Sequence, residues 1–95
     1  MIYPVKFREE ALKEWHKLDK TIQQQFAKKL KKCSDNPHIE SARLCGMKNC
    51  YKIKLRSSGF RLVYEVIDDI LIIAMVAVGK RERNEVYQLA SDRLR

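Results

Sequence analysis

Apolar residues along this chain change their spacing several times, and each change marks an element. Near the start Tyr3, Val5 and Phe7 stand two apart, the period of a strand with one buried face. Pro4 has no amide hydrogen to give a ladder, so this strand over 1–7 belongs at a sheet edge. From Glu9 the spacing becomes helical. Ala11, Leu12, Trp15 and Leu18 fall on one face, while Glu9 and Glu10 suit the positive end of the helix dipole. Asp19 is placed to cap a second helix whose buried stripe is Ile22, Phe26, Leu30 and Cys33. That helix stops near Asn36-Pro37, since a proline drives the residue before it out of helical geometry. Two helices joined so briefly predict a helical hairpin lying on a sheet.

The second half is rich in strand-like runs. Ala42–Leu44 reads as a short strand, followed by a turn around Gly46. Cys50–Arg56, Phe60–Ile67 and Ile70–Val78 are the main strands, and Ser58-Gly59 and Asp68-Asp69 are short turns that make them consecutive antiparallel hairpins. The last of these strands is apolar at nearly every position, which predicts a central place with both faces covered. Gly79 is expected to end it. A final helix from about Glu82 has Val86, Leu89, Ala90 and Leu94 as its apolar stripe. No repeat, linker or low-complexity tract interrupts the pattern, so residues 1–95 are expected to form one domain. The fold class is α+β: an N-terminal strand and helical hairpin packed on a mainly antiparallel β-sheet, with a short C-terminal helix.

Charge adds the first functional clue. The chain carries 20 Lys+Arg against 12 Asp+Glu, a formal net charge of +8. A small body this basic attracts polyanions, of which phosphate backbones are the usual kind. Charge by itself does not separate an enzyme from a binding protein. Cys33, Cys45 and Cys50 follow no paired spacing, and His16 and His38 stand far from Cys45 and Cys50, so neither a disulfide framework nor a zinc site is expected. No metal and no cofactor are implied. The opening residues do not read as a signal segment, and the run from Ile70 to Val78 is shorter than the roughly 20 residues that span a bilayer. A cytoplasmic protein with no membrane partner is the expectation.

Candidate chemistry gathers in Tyr51-Lys52-Ile53-Lys54-Leu55-Arg56, where apolar and cationic residues alternate strictly. On a strand this puts Lys52, Lys54 and Arg56 on the face opposite Tyr51, Ile53 and Leu55. With Ser58-Gly59 as a two-residue loop, Arg56 pairs Arg61, Leu55 pairs Leu62, Lys54 faces Val63, Ile53 pairs Tyr64 and Lys52 faces Glu65. A one-residue slip would set Arg61 against Leu55, so the apolar pattern is expected to select the register. Four cations then share one open face, although like charges opposed across a ladder destabilise a sheet; a functional face explains them, with Glu65 as a partial counter-charge. Lys80, Arg81 and Arg83 follow the central strand, and Tyr87 lies off the apolar stripe of the last helix, where it is either an exposed phenol that stacks on a base or orients a phosphate, or a phenol lying over the core rim. Lys28, Lys29, Lys31 and Lys32 on the second helix form a further basic surface, either a solvated face or a track for RNA phosphates.

These residue types suit metal-independent cleavage of RNA. The nucleophile is the substrate's own 2′-hydroxyl, and the negative charge that builds on the adjacent phosphate is met by Arg61, Arg81 and the lysines. A like charge disfavours the protonated form of a lysine, which makes Lys52 or Lys54 a candidate general base. Arg81 is placed to serve the leaving 5′-oxygen, but guanidinium is a weak acid, so strong activity requires something else to hold the phosphate in line. A non-catalytic basic module that blocks the ribosome or an RNA would use the same cations. A DNA-binding regulator is less well matched, because no helix carries a set of base-reading residues.

The run Cys50-Tyr51-Lys52-Ile53-Lys54-Leu55-Arg56-Ser57-Ser58-Gly59-Phe60-Arg61-Leu62-Val63-Tyr64 closely resembles the core of RelE toxins. So does Val78-Gly79-Lys80-Arg81-Glu82-Arg83 followed by Val86-Tyr87, and Ala11-Leu12-Lys13-Glu14-Trp15 extends the likeness to the N-terminal part. The resemblance implies a RelE-like microbial ribonuclease fold and the toxin half of a bacterial type II toxin–antitoxin pair, cutting mRNA in the ribosomal A site and so inhibiting translation. It implies base and phosphate-stabilising roles for Lys52 and Lys54, transition-state stabilisation by Arg61, leaving-group assistance by Arg81, and an orienting or stacking role for Tyr87. Arg56, Lys80, Arg83, Lys28, Lys29 and Lys32 would bind substrate or ribosome. The implied partners are a RelB-like antitoxin that displaces the terminal helix, the bacterial ribosome with its mRNA, and operator DNA reached only through the antitoxin complex. Two positions depart from the pattern. Cys45 stands where RelE-like sequences can carry a further basic residue, and Arg8 takes a helix-start position where an acidic cap is more usual.

Overall fold

The computed structural model describes residues 3–44, 46–55, 58–80 and 85–94. In chain order it holds β1 (Val5–Phe7), α1 (Glu9–His16), α2 (Lys20–Asp35), a 3-10 turn at Glu40–Ala42, β2 (Cys50–Leu55), β3 (Phe60–Ile67), β4 (Ile72–Lys80) and α3 (Glu85–Arg93). The strands form one sheet in the order β1-β4-β3-β2. β2–β3 and β3–β4 pair antiparallel, and β1, which begins just after Pro4, pairs β4 in parallel at the sheet edge. The α+β expectation holds, with the apolar β4 inside the sheet.

Alternation along the strands divides the interior into two layers. Tyr51, Ile53, Leu55, Leu62, Tyr64, Val66, Ile73, Met75 and Val78 face the helical hairpin and pack with Ala11, Ile22, Phe26, Leu30 and Cys33. On the other face Cys50, Val63, Val76 and Ala77 pack with Val86 and Ala90 of α3. The sheet is therefore a middle layer between the α1–α2 hairpin and α3. Val63 pairs Ala77 while Tyr64 pairs Met75, which makes Val76 the extra residue of a β-bulge. The bulge turns two successive side chains, Val76 and Ala77, toward α3 and widens its seat.

Several local expectations are corrected. The β2–β3 register is shifted by two residues: Leu55 pairs Phe60, Lys54 pairs Arg61, Ile53 pairs Leu62, Lys52 pairs Val63 and Tyr51 pairs Tyr64. A two-residue shift leaves every side chain on its own face, so the apolar pattern cannot distinguish the two registers. The longer turn is closed by the Gly59 amide donating to the Leu55 carbonyl at 2.8 Å, with Gly59 at φ +77°. Residues 42–44 do not form a strand. Ala42 and Arg43 bond back to Ile39 and Glu40 as a 3-10 turn, after which Arg43 makes a single bridge to Tyr51. β4 is displaced toward the C-terminus, because the hairpin turn takes four residues with Leu71 at φ 53° and leaves Ile70 63% exposed. Gly79 lies within β4, paired with Arg61, rather than ending it. Two residues of the expected stripes are largely exposed, Leu12 at 39% and Leu89 at 40%. Asp19 occupies the N-cap position of α2 without a side-chain capping bond. The expected start of the last helix at Glu82 lies outside the described residues.

Candidate RNA-cleaving face

The cationic cluster is built by β2 and β3 on the α3 side of the sheet. Lys52 and Lys54 alternate with the buried Tyr51, Ile53 and Leu55, so they share the face of Cys50 and Val63. Arg61 comes to the same face directly opposite Lys54 and, on its other side, opposite Gly79. Lys54 is exposed, whereas Lys52 and Arg61 are half-buried. The expected pairing of two arginines at 56 and 61 is replaced by Lys54 against Arg61, and Lys52 faces Val63 instead of Glu65. Glu65 stands at the far end of the face, opposite Cys50.

The face is not open along its whole length. α3 covers its middle, and Gly79 makes the close approach possible: a β-carbon there would lie 3.2 Å from Cγ2 of Val86. The next residue, Tyr87, is half-buried and packs at the rim of the second core cluster. Of the two expected placements, an exposed phenol and one lying over the core rim, the second is observed. Its hydroxyl is buried without a hydrogen-bond partner among the described residues, and the same is true of Nε of Arg61. A buried polar atom left unpaired costs about 1–3 kcal/mol. Two of them on one cationic face fit a surface completed by a polar ligand.

Other predicted residues fall elsewhere. Lys80, at the end of β4, is exposed and pairs Phe60 one position from Arg61. Lys28, Lys29 and Lys32 are exposed on α2, which packs against the opposite side of the sheet. They form a separate basic surface. Arg56, Arg81 and Arg83 lie outside the described residues, as does Cys45. Among the described residues, no group of three or more His, Cys, Asp and Glu side chains is arranged to hold a metal ion, and no helix is long and apolar enough to cross a membrane. Cys33 and Cys50 are buried free thiols. Burial raises both, that of Cys50 to about 11 with help from the charge of Glu65.

Beneath the cationic strand, Tyr51 stacks on Tyr64 with ring centroids 5.5 Å apart. Its hydroxyl meets Nδ1 of His38 at 3.2 Å, and Nε2 of His38 meets Asp68 at 3.0 Å. Tyr3 donates to the same Asp68 oxygen at 3.0 Å, which raises its phenol above the ordinary range. The Tyr64 hydroxyl donates to the Pro37 carbonyl at 3.0 Å. These bonds tie β2 to the ends of β1, α2 and the β3–β4 turn, and hold the strand that carries Lys52 and Lys54. Sequence reasoning missed this brace, and it missed an ion pair of Glu14 with Arg93 at 2.7 Å. Neither has a local signal, because the partners are far apart in the chain.

A sheet of this topology with one cationic face belongs to a known class of protein. The family model described as "ParE toxin of type II toxin-antitoxin system, parDE" matches residues 5–85. A RelE-like toxin protein of Escherichia coli is 78% identical over 95 residues, covering all of both chains. The mRNA interferase toxin RelE of Escherichia coli strain K12 is 53% identical over 99% of each. Among solved structures, the free state of a doubly substituted E. coli toxin RelE matches with a TM-score of 0.93 and 50% identity across all of both chains. The toxin in the E. coli RelBE toxin–antitoxin complex matches with a TM-score of 0.82 and 53% identity, over 85% of this chain and 99% of that one. The chain belongs to the RelE/ParE family of type II toxins, and its similarity to these relatives sets it beside RelE.

Proposed function

We propose that this chain is the toxin of a type II toxin–antitoxin pair and an endoribonuclease that cuts mRNA in the ribosomal A site, acting in the cytoplasm as one domain over residues 1–95. The observation that carries the reading is the cationic face: Lys54 directly opposite Arg61, Lys52 beside them, and a buried Tyr87 hydroxyl, without a hydrogen-bond partner among the described residues, on the helix packed against the same side. In the proposed reaction Lys52 or Lys54 takes the proton of the 2′-hydroxyl, whose oxygen attacks the adjacent phosphorus. The bond to the 5′-oxygen breaks as Arg81 donates a proton to it, leaving a 2′,3′-cyclic phosphate and a 5′-hydroxyl, and the proton taken by the lysine returns to Arg81 through solvent. Arg61 and the remaining lysine stabilise the added negative charge, and Tyr87 orients or stacks on the substrate. The set is cationic and would repel a divalent ion, which fits a metal-independent route.

With no strong acid in the set, positioning must supply much of the acceleration, and the ribosome holding the phosphate in line would provide it. Arg56, Lys80 and Arg83 extend the substrate surface, while Lys28, Lys29 and Lys32 contact ribosomal RNA from the opposite side. A RelB-like antitoxin neutralises the toxin by displacing α3, and the pair represses its own operon with the antitoxin touching DNA. The named activity of the RelE relatives and the RelBE complex support this reading.

Primer extension on a defined mRNA in purified bacterial ribosomes with an empty A site tests it, comparing the wild type with Arg61→Ala and Arg81→Ala. A cut within the A-site codon is expected from the wild type, lost in both variants and absent on naked mRNA. Ribosomes that bind the protein while their mRNA stays intact would instead identify a non-catalytic blocking module.

A further inference from the structure

α3 has nine residues, below the length at which a helix is stable alone, and of its described side chains only Val86 and Ala90 are fully buried. Its position therefore depends on anchors at its ends. At the N-terminal end Val86 rests against Gly79. At the other end Arg93, whose side chain is 15% exposed, donates from Nη1 and Nη2 to the two carboxylate oxygens of Glu14 at 2.7 and 3.1 Å. The same Nη1 donates to the carbonyl of Val76, the bulge residue, at 2.9 Å. Glu14 in turn accepts the Val78 amide at 3.3 Å. Arg8 closes the group by donating from Nη2 to the Arg93 carbonyl at 2.9 Å, and Glu10 stands 3.9 Å from Nε of Arg93.

The surroundings explain why this anchor exists. β1 pairs β4 only as far as Met75, so beyond that point β4 has no strand neighbour on that side among the described residues. The backbone groups of Val76 and Val78 need partners there, and Arg93 and Glu14 supply them. A two-pronged guanidinium–carboxylate contact is strong and directional, and it fixes α3 at the bulge.

We propose that Arg93 and Glu14 are positioning residues for RNA cleavage: their ion pair seats α3 on the β4 bulge and thereby holds Tyr87, about 9 Å along the same helix, over the cationic face. This rests on the reading that the face cleaves RNA. Neither residue touches the substrate, and both act through the helix that carries Tyr87. Releasing the anchor lets the helix pivot about the Val86–Gly79 contact and misplaces the phenol, and misplacement by an ångström lowers a rate by up to roughly a hundredfold.

The test measures cleavage of ribosome-bound mRNA over a range of ribosome concentrations for the wild type, Arg93→Gln, Arg93→Lys, Tyr87→Ala and the Tyr87→Ala/Arg93→Gln pair. Arg93→Gln is expected to lower kcat roughly 10- to 100-fold with KM unchanged. Arg93→Lys should fall between, since lysine keeps the charge but not the fork. In the Tyr87→Ala background Arg93→Gln should cost nothing more. An equal loss in both backgrounds, or a raised KM with kcat unchanged, would overturn the proposal. Amide hydrogen exchange and the Tyr87 ring signals of the full chain provide a second arm, with Glu14→Gln added as a variant that keeps the side-chain shape. Faster exchange confined to α3 and a shifted Tyr87 signal are expected; an unchanged α3 would refute the anchor. Intact mRNA with the wild type ends the ribonuclease reading itself, and the exchange arm then decides separately whether Arg93 seats Tyr87.

Discussion

On the proposed reading, stability and function pull apart at Arg61. It lies opposite Lys54 across the ladder and keeps a buried Nε without a partner among the described residues, two features that destabilise a sheet. Arg61→Met, similar in length and uncharged, is expected to raise the unfolding free energy by about 1 kcal/mol in urea titrations while abolishing A-site cleavage; a loss of stability would show that the guanidinium holds the sheet together. Cys50 makes a different prediction. Its thiol is raised by burial to about 11, so the folded state holds this proton more tightly than the unfolded chain does. The stability it contributes is complete below the unfolded value and is lost as pH climbs toward 11. Between pH 7 and pH 10 the wild type should lose about 1.4 kcal/mol more than Cys50→Ala, measured by urea unfolding at the two pH values. Equal losses would mean that the thiol is not protected.

Among the elements, β4 and α3 decide the site together. The bulge at Val76 presents two side chains to α3, and Gly79 lets the helix approach. Gly79→Ala would place a β-carbon 3.2 Å from Val86, so helix or strand must give. We expect a destabilisation of about 1 kcal/mol, faster amide exchange in α3, and weaker cleavage through Tyr87; an unchanged melting temperature together with unchanged exchange would show that the interface has slack. The elements themselves were legible in the sequence. β3 runs over the expected Phe60–Ile67, and the α2 stripe of Ile22, Phe26, Leu30 and Cys33 is buried throughout. What escaped was the 3-10 turn in place of a strand near Ala42, together with register and ends: the β2–β3 hairpin shifted by two, which alternation cannot detect, and β4 slid toward Lys80 behind a four-residue turn.

The whole molecule carries a formal charge of +8, and described basic residues gather on both sides of one sheet. Lys52, Lys54 and Arg61 lie on the α3 side, while Lys28, Lys29 and Lys32 line the exposed side of α2. On the proposed reading, one side would hold an RNA strand at the cationic face and the other would rest against ribosomal RNA. Replacing the three α2 lysines with glutamine is expected to weaken ribosome binding and flatten its salt dependence, each lost phosphate contact reducing the log–log slope by about 0.7–0.9. The cleavage rate at saturation should stay within about twofold; a rate that falls with binding would place these lysines in the chemistry. The sequence by itself determined which residues share a face, because strand side chains alternate with a period of two and helical ones with 3.6, and this was enough to gather Lys52 and Lys54 away from the core. Only the tertiary structure decided that Lys54 meets Arg61, that α3 packs on the same side of the sheet as the cationic face, and that Arg93 reaches Glu14 and the β4 bulge. Those contacts join residues distant in the chain, and their geometry depends on a bulge and a turn length that leave no periodic trace.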